Sequence, residues 1–291
     1  MENNPKIDIY NYCCKLFDGK VELDNSTIVA PYVLDVYIPD INTGIEFYKL
    51  SENGETQLGD KNYHLKKLNL CKEKHIKLLQ VYEDEYVNRN EIVYNKIKHI
   101  LKKCDNMPKI MDRKCDIKQI DKYKAKEFLN TYHVQGFASS TIYLGCYFNE
   151  ELLGVMTFRE EVKGNNRWEL TRFASNYNYV CSGIGGKLFK YFIRNFNPIE
   201  VKSFADRRWT VDEENNVYIQ LNFKFDSYVH PDYHYFKDSD GIIRQHKFNF
   251  RKRLLNKKFG VPYEWTETKM VKFLGYERLY DCGLIKYVWK Q

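Results

Sequence analysis

Two acids, Asp35 and Glu46, sit in the stretch YVLDVYIPDINTGIEFYKL (32–50), inside segments otherwise suited to burial. A carboxylate is costly to bury unless a partner, often a metal ion, compensates its charge. With a turn over residues 39–44, Ile38 faces Ile45, and Asp35 and Glu46 fall on one face of a hairpin, one diagonal step apart. At roughly 7–8 Å between backbone positions, both could reach one Mg²⁺ or Mn²⁺. Such an ion would polarise a phosphodiester, acidify a bound water and stabilise the leaving oxygen. Ordinary edge-strand acids beside a turn are the plainer alternative.

Other chemistry-bearing groups are spread along the chain. His64, at the start of YHLKKLNLCKEK, could take a proton from attacking water, and Lys66 and Lys67 could touch phosphate oxygens. A solvated helix face accounts for the same residues. Glu83, Asp84 and Glu85 read as solvent-facing or supporting acids. In CSGIGGKLFKYF (181–192), Gly183, Gly185 and Gly186 run into a helix, so backbone N–H groups could take a phosphate; the glycines could equally permit close packing. FADRRW joins Arg207, Arg208 and Trp209, a set suited to phosphate and base contact, and RKRLLNKK (251–258) is a second basic cluster. His133 and Gln135 in YHVQGF are further polar candidates with no assigned role.

Periodicity supplies the elements that must position these groups. IDIYNYCCKLF, YHLKKLNLCKEK and EIVYNKIKHILKKC carry helical spacing, YVLDVYIP and TGIEFYKL form a hairpin, and IKLLQVYED is an apolar strand. A Pro-containing, mixed-charge stretch at 104–116 marks the expected domain boundary. Beyond it come helix KAKEFLNTYHV, a hairpin of TIYLGCYF and ELLGVMTFR, and strands RWELTRFAS and VKSFADRRW. A helical EENNVYIQLNF, a hairpin over YHYFKDSDGIIRQHKF, a short helix TETKMVKFLG and a last strand YERLYDCGLIKYVWK complete the reading. The expected fold class is α/β (α+β), with domains at 1–108 and 113–291.

Composition limits the classes. A chain of 291 residues, 43% hydrophobic and 16% aromatic with seven prolines, is a folded protein with room for two domains. No run approaches the roughly 18 apolar residues of a membrane span, and no signal core opens the chain, so the expected compartment is the cytoplasm, with no membrane partner. Eight cysteines without CxxC spacing read as reduced thiols. The net charge of +7 is uneven: 16 Lys/Arg against 18 Asp/Glu in residues 1–112, and 30 against 21 afterwards. A basic second part suits a polyanion and is also common on soluble surfaces.

The blocks YVLDVYIPDINTGIEF and YHLKKLNLCKEKHIKLLQVYEDEY, over about residues 5–103, resemble phage homing endonucleases similar to very-short-patch repair nucleases, a branch of the PD-(D/E)xK fold. The resemblance implies a metal-dependent, site-specific endonuclease of bacteriophage type, a hydrolase cutting double-stranded DNA in the host cytoplasm. Asp35 and Glu46 would hold Mg²⁺ or Mn²⁺, His64 would assist proton transfer, and Lys66, Lys67, Arg207, Arg208 and Trp209 would contact DNA. The aromatic-histidine block that follows the second acid in that family is absent after Glu46.

RWELTRF, the glycine loop, VKSFADRRW and VYIQLNFKF, over roughly 116–250, resemble GNAT acyltransferases, including Mom-like phage domains. That implies acetyl-CoA held at Gly183, Gly185 and Gly186. Val180 and Asn222 depart from the family's Arg/Gln and Gly. Two alternatives to cleavage stand beside the first reading: a DNA-binding protein derived from such a nuclease, and an acyltransferase acting on a nucleobase.

Overall fold

The computed structural model describes residues 4–291. Along the chain run α1 (Pro5–Leu16), β1 (Glu22–Asn25), β2 (Leu34–Ile38), β3 (Thr43–Tyr48), α2 (Glu55–Leu58), α3 (Tyr63–Glu73), β4 (Lys77–Tyr82) and α4 (Glu83–Ile100). Then follow β5 (Lys109–Met111), β6 (Asp116–Gln119), α5 (Lys122–Tyr132), β7 (Ile142–Phe148), β8 (Glu151–Glu160), β9 (Arg167–Ser175), β10 (Val180–Ser182), α6 (Ile184–Phe196) and β11 (Glu200–Asp206). The chain ends with α7 (Val217–Gln220), β12 (Lys224–Val229), β13 (Tyr233–Phe236), β14 (Gln245–His246), α8 (Lys252–Phe259), α9 (Glu267–Phe273), β15 (Glu277–Tyr280) and β16 (Leu284–Lys290).

Two compact units form. Unit 1 takes the chain up to Asn90, Arg207–Val211 and His230–Gly283; unit 2 takes Glu91–Asp206, Asp212–Val229 and Leu284–Gln291. The linear split expected near residue 110 is therefore not where the contacts divide. Residues 230–283 leave between β12 and β16, which pair with one another, and join unit 1. Helix α4 crosses the division in sequence, and its backbone breaks at Arg89 (φ −148°, ψ 37°).

Unit 1 holds a four-stranded sheet ordered β1-β2-β3-β4, antiparallel except for the β3/β4 pair, which α3 connects as a parallel crossover. Its core includes Leu34, Leu68, Cys71, Leu78 and Cys282. A smaller sheet, β14-β13-β15, packs Tyr235 against Phe250, Leu255, Met270 and Tyr276 of the later segment. YERLYDCGLIKYVWK is thus two strands in two units rather than one. Gly283, at φ +76°, turns the chain, and the buried Cys282 thiol donates to Gln80 Oε1 at 3.0 Å.

Unit 2 is built on a seven-stranded sheet ordered β12-β16-β11-β9-β8-β7-β6, in which β9 and β11 are parallel and the other neighbours antiparallel. Helix α6 buries Ile184, Leu188, Phe189 and Phe192, and Phe158 stacks on Phe192 at 3.6 Å between ring centroids. A parallel pair, β5 and β10, leads into the glycine loop.

Candidate functional site

The carboxylate hairpin forms in a tighter register than the sequence suggested. Pro39–Ile41 makes a 3₁₀ turn with Asn42 left-handed, and the pairs are Val36 with Ile45 and Ile38 with Thr43. Continuing that register brings Asp35 level with Glu46, and the side chains bridge the strands: Phe47 N–H donates to Asp35 Oδ2 at 2.8 Å and Asp35 N–H to Glu46 Oε1 at 3.0 Å. The other Glu46 oxygen accepts from Lys67 Nζ in a buried ion pair. Glu46 is only 2% exposed. Burial pushes its carboxyl up to about 8, against the opposing Lys67 charge.

The charge compensation assigned to a metal thus comes from Lys67. Among the described residues no group of three or more His, Cys, Asp or Glu is placed to hold a metal ion. His64 is 2% exposed and lies among Tyr48, Tyr63 and Tyr82, its ring 4.3 Å from Tyr48. Burial, then the Lys67 and Arg208 charges, lower it to about 3, so it is neutral and shielded from water.

The expected DNA-contact residues are also engaged internally. Arg208 makes two bonds to Glu85, at 2.9 and 3.0 Å, and its guanidinium lies 4.4 Å from the Tyr82 ring centre. Arg244 closes on the same ring from 4.2 Å and pairs with Asp84 and Glu85. Arg207 donates to Asn69 Oδ1 at 3.0 Å; the Trp209 indole N–H is buried without a hydrogen-bond partner among the described residues, and Lys66, still exposed, pairs with Asp60. The arginines tie segments of unit 1 together, and Glu83–Glu85, directly after β4, also open helix α4. His133 caps its own turn, Nδ1 accepting from Gln135 N–H at 3.1 Å.

Unit 2 places a different set of groups together. Strands β9 and β11 pair only from Arg167/Glu200 to Leu170/Ser203; beyond that point β11 continues to Asp206 along β16 while β9 runs on unpaired on that side. The parting has a cause. Between β8 and β9 the register jumps from Thr157–Arg172 to Phe158–Leu170, leaving Thr171 as a bulged residue that bends and twists its strand. Thr171 Oγ1 is pinned by Thr157 Oγ1 at 2.7 Å and Ser140 Oγ at 2.6 Å. Arg172 follows, donating to Gly136 O at 3.0 Å and Thr171 O at 2.7 Å.

The glycine loop lies against this parted segment. A Cβ at Gly185 would stand 3.1 Å from Phe173 of β9 and 3.8 Å from Val217 of α7, so the missing side chain allows the approach. Gly183 is left-handed, at φ +81°, and no side chain caps α6. Space around Gly186 is open to 4 Å. The helix therefore presents uncapped N–H groups, with the positive end of its dipole, to that space. This is a fit for the diphosphate of a CoA thioester, with one opposing feature: the Asp112 carboxyl carbon lies 2.9 Å from where a Gly183 Cβ would be. Lys187 is turned away, bonded to Asp112 O at 2.8 Å and to Cys115 O.

Sequence reasoning missed Tyr218. Asn216 caps α7 through Tyr218 N–H and Ile219 N–H, and the Tyr218 ring stacks on Tyr287 at 5.0 Å. The Tyr218 phenol neighbours Ser203, the last β11 residue paired with β9, whose Oγ donates to Leu170 O at 2.8 Å. Burial raises the phenol, opposed by Ser203 and Arg172, so it stays protonated. The available signal was its place in VYIQLNF, a short helix directly after a strand ending at Asp206.

No family model and no curated protein matches the chain. Among solved structures it is similar to the ribosomal-protein-S18-alanine N-acetyltransferase from Escherichia coli, at 10% identity, over 60% of this chain and 93% of that one, with a TM-score of 0.35. A GNAT family acetyltransferase from Elizabethkingia anophelis with acetyl-CoA bound gives 14%, 61%, 99% and 0.33. An acetyltransferase from Bacillus subtilis in complex with CoA gives 10%, 61%, 98% and 0.36. Unit 2 itself shows a seven-strand order, a parallel pair that parts, and a glycine loop opening α6.

The endonuclease, hydrolase and magnesium expectations are corrected accordingly. The acids assigned to Mg²⁺ are occupied by Lys67 and backbone N–H groups, and the described residues gather no set of three or more metal-ligating side chains. No helix among the described residues is long and apolar enough to cross a membrane.

Proposed function

We propose that unit 2 is an acyltransferase that moves an acyl group from a CoA thioester to an amine. The observation that carries this reading is the convergence at one gap of the parted β9 and β11, the uncapped glycine loop and the Tyr218 hydroxyl. Ile184, Gly185 and Gly186 N–H groups would hold the diphosphate. The unpaired edge of β9 past Leu170 would hold the extended arm of the thioester by backbone bonds, as a strand edge does. An amine nitrogen attacks the acyl carbon, a C–N bond forms and the C–S bond breaks. Tyr218 gives its proton to the departing sulfur, the ammonium proton leaves to solvent, and solvent returns a proton to the Tyr218 phenolate.

The acceptor class put forward is the exocyclic amine of a nucleobase, in keeping with the chain's net charge of +7. Incubating the full chain with radiolabelled acetyl-CoA and adenine- or cytosine-containing oligonucleotides should transfer label to the nucleic acid, and Tyr218→Phe should abolish most of it. Label passing only to small amines would retain the transferase and reject the nucleobase. No transfer to any amine, with no acetyl-CoA binding, would reject both.

A further inference from the structure

Between Ile242 and Phe259 the chain carries seven Lys or Arg residues and no acid. Two are paired within unit 1, Arg244 with the half-buried Asp84 and the buried Glu85, and Lys247 with Asp232 nearer the surface. The other five, Arg251, Lys252, Arg253, Lys257 and Lys258, all on or beside α8, have no ion pair among the described residues. That helix anchors itself through Leu255 alone.

Exposed rings are interleaved with these cations. Phe248, Tyr263 and Phe259 are 53%, 55% and 40% exposed. Arg251 lies 4.5 Å from the Phe248 ring centre, Lys252 4.7 Å from that of Tyr263, and Lys258 4.8 Å from that of Phe259. Such contacts hold the rings in place while leaving a face open. Repulsion among five uncompensated cations is relieved by a polyanion, and open aromatic faces are satisfied by flat partners; unpaired bases on a phosphate backbone provide both. A duplex would satisfy the charge and leave the rings idle.

We infer that the α8 face of unit 1 binds single-stranded nucleic acid, phosphates on the five cations and bases on Phe248 and Tyr263. The inference concerns unit 1 alone and stands apart from the acyl-transfer reading.

The test is fluorescence anisotropy of the full chain with a labelled 20-nucleotide oligo-dT across a salt series, with a blunt 20-base-pair duplex and phosphatidylserine vesicles as further arms. Five phosphate contacts predict a log–log salt slope of about −3.5 on the single strand. The Arg253→Gln/Lys257→Gln/Lys258→Gln variant should make the slope shallower by about 2 and weaken binding more than tenfold. Phe248→Ala/Tyr263→Ala should leave the slope unchanged and cost about tenfold on the single strand with no loss on the duplex. Circular dichroism should match wild type in both variants, since every substituted side chain is exposed. Single-strand binding unaltered by either variant overturns the inference, as does binding to vesicles without binding to oligo-dT.

Discussion

Unit 1 and unit 2 each gather polar groups in a sheet, and they differ in how charge is met. Unit 1 matches its central carboxylates internally, while the His64 ring nitrogens and the Trp209 indole N–H are buried without a hydrogen-bond partner among the described residues. In unit 1 the carboxylates of Asp35, Glu46 and Glu85 all have partners: Asp35 takes Phe47 N–H, Glu46 takes Lys67 and Asp35 N–H, and Glu85, in α4, takes two arginines. At the unit 2 gap a parallel pair is left incomplete and a helix end is uncapped. Buried charge that is internally matched belongs to a scaffold; hydrogen-bonding capacity left open beside a cleft suits a ligand.

The most damaging way to break the first half of that contrast is to remove Lys67. Lys67→Met leaves Glu46 buried without its cation and should destabilise the chain by about 3–5 kcal/mol in urea unfolding, and Lys67→Met/Glu46→Gln should recover much of the loss. Next is Tyr218→Phe, which keeps the ring stack on Tyr287 and removes the proton donor. It should lower kcat by about 10²–10³ while leaving acetyl-CoA affinity within about twofold.

A subtler effect comes from His64. Its folded value is about 3, against 6.5 for the ordinary group. Between those limits the unfolded chain binds the extra proton, so stability falls as pH drops from 6.5 toward 3. The slope reaches about 1.4 kcal/mol per pH unit. His64→Phe should remove that contribution, leaving the loss set by Glu85. Arg208 and Arg244 overcome burial to hold that carboxyl at about 2, and its contribution is lost progressively as pH falls from about 4.5 to about 2. The smallest expected effect sharpens the second half of the contrast: Asp112→Asn removes a like charge beside Gly183 and should tighten CoA binding by about two- to fivefold in calorimetry.

The elements themselves were largely legible. Strands and helices in both halves follow from periodicity, and the glycines before α6 announced a loop-to-helix junction. The hairpin's shared face was also readable, although its register depended on a 3₁₀ turn that Pro39 and a left-handed Asn42 close within four residues. What could not be read was partnership. Nothing in YHLKKL distinguishes the exposed Lys66 from the buried Lys67, and nothing in FADRRW says that its arginines meet Glu85 and Asn69 across long stretches of sequence. Residues 230–283 presented the same difficulty, because β12 and β16 pair around a segment whose core lies in unit 1.

The central claim, that the uncapped start of α6 receives a CoA diphosphate, is tested most directly by titrating acetyl-CoA into wild type and Gly186→Asp in a calorimeter. Gly186 lies in the first turn of α6 with open space around it, so an aspartate there fits, favours the helix dipole and opposes the ligand's charge. The account predicts one site per wild-type chain, at least tenfold weaker in Gly186→Asp with thermal stability unchanged or raised. Equal affinity in the two proteins, or no heat of binding in wild type, would contradict it.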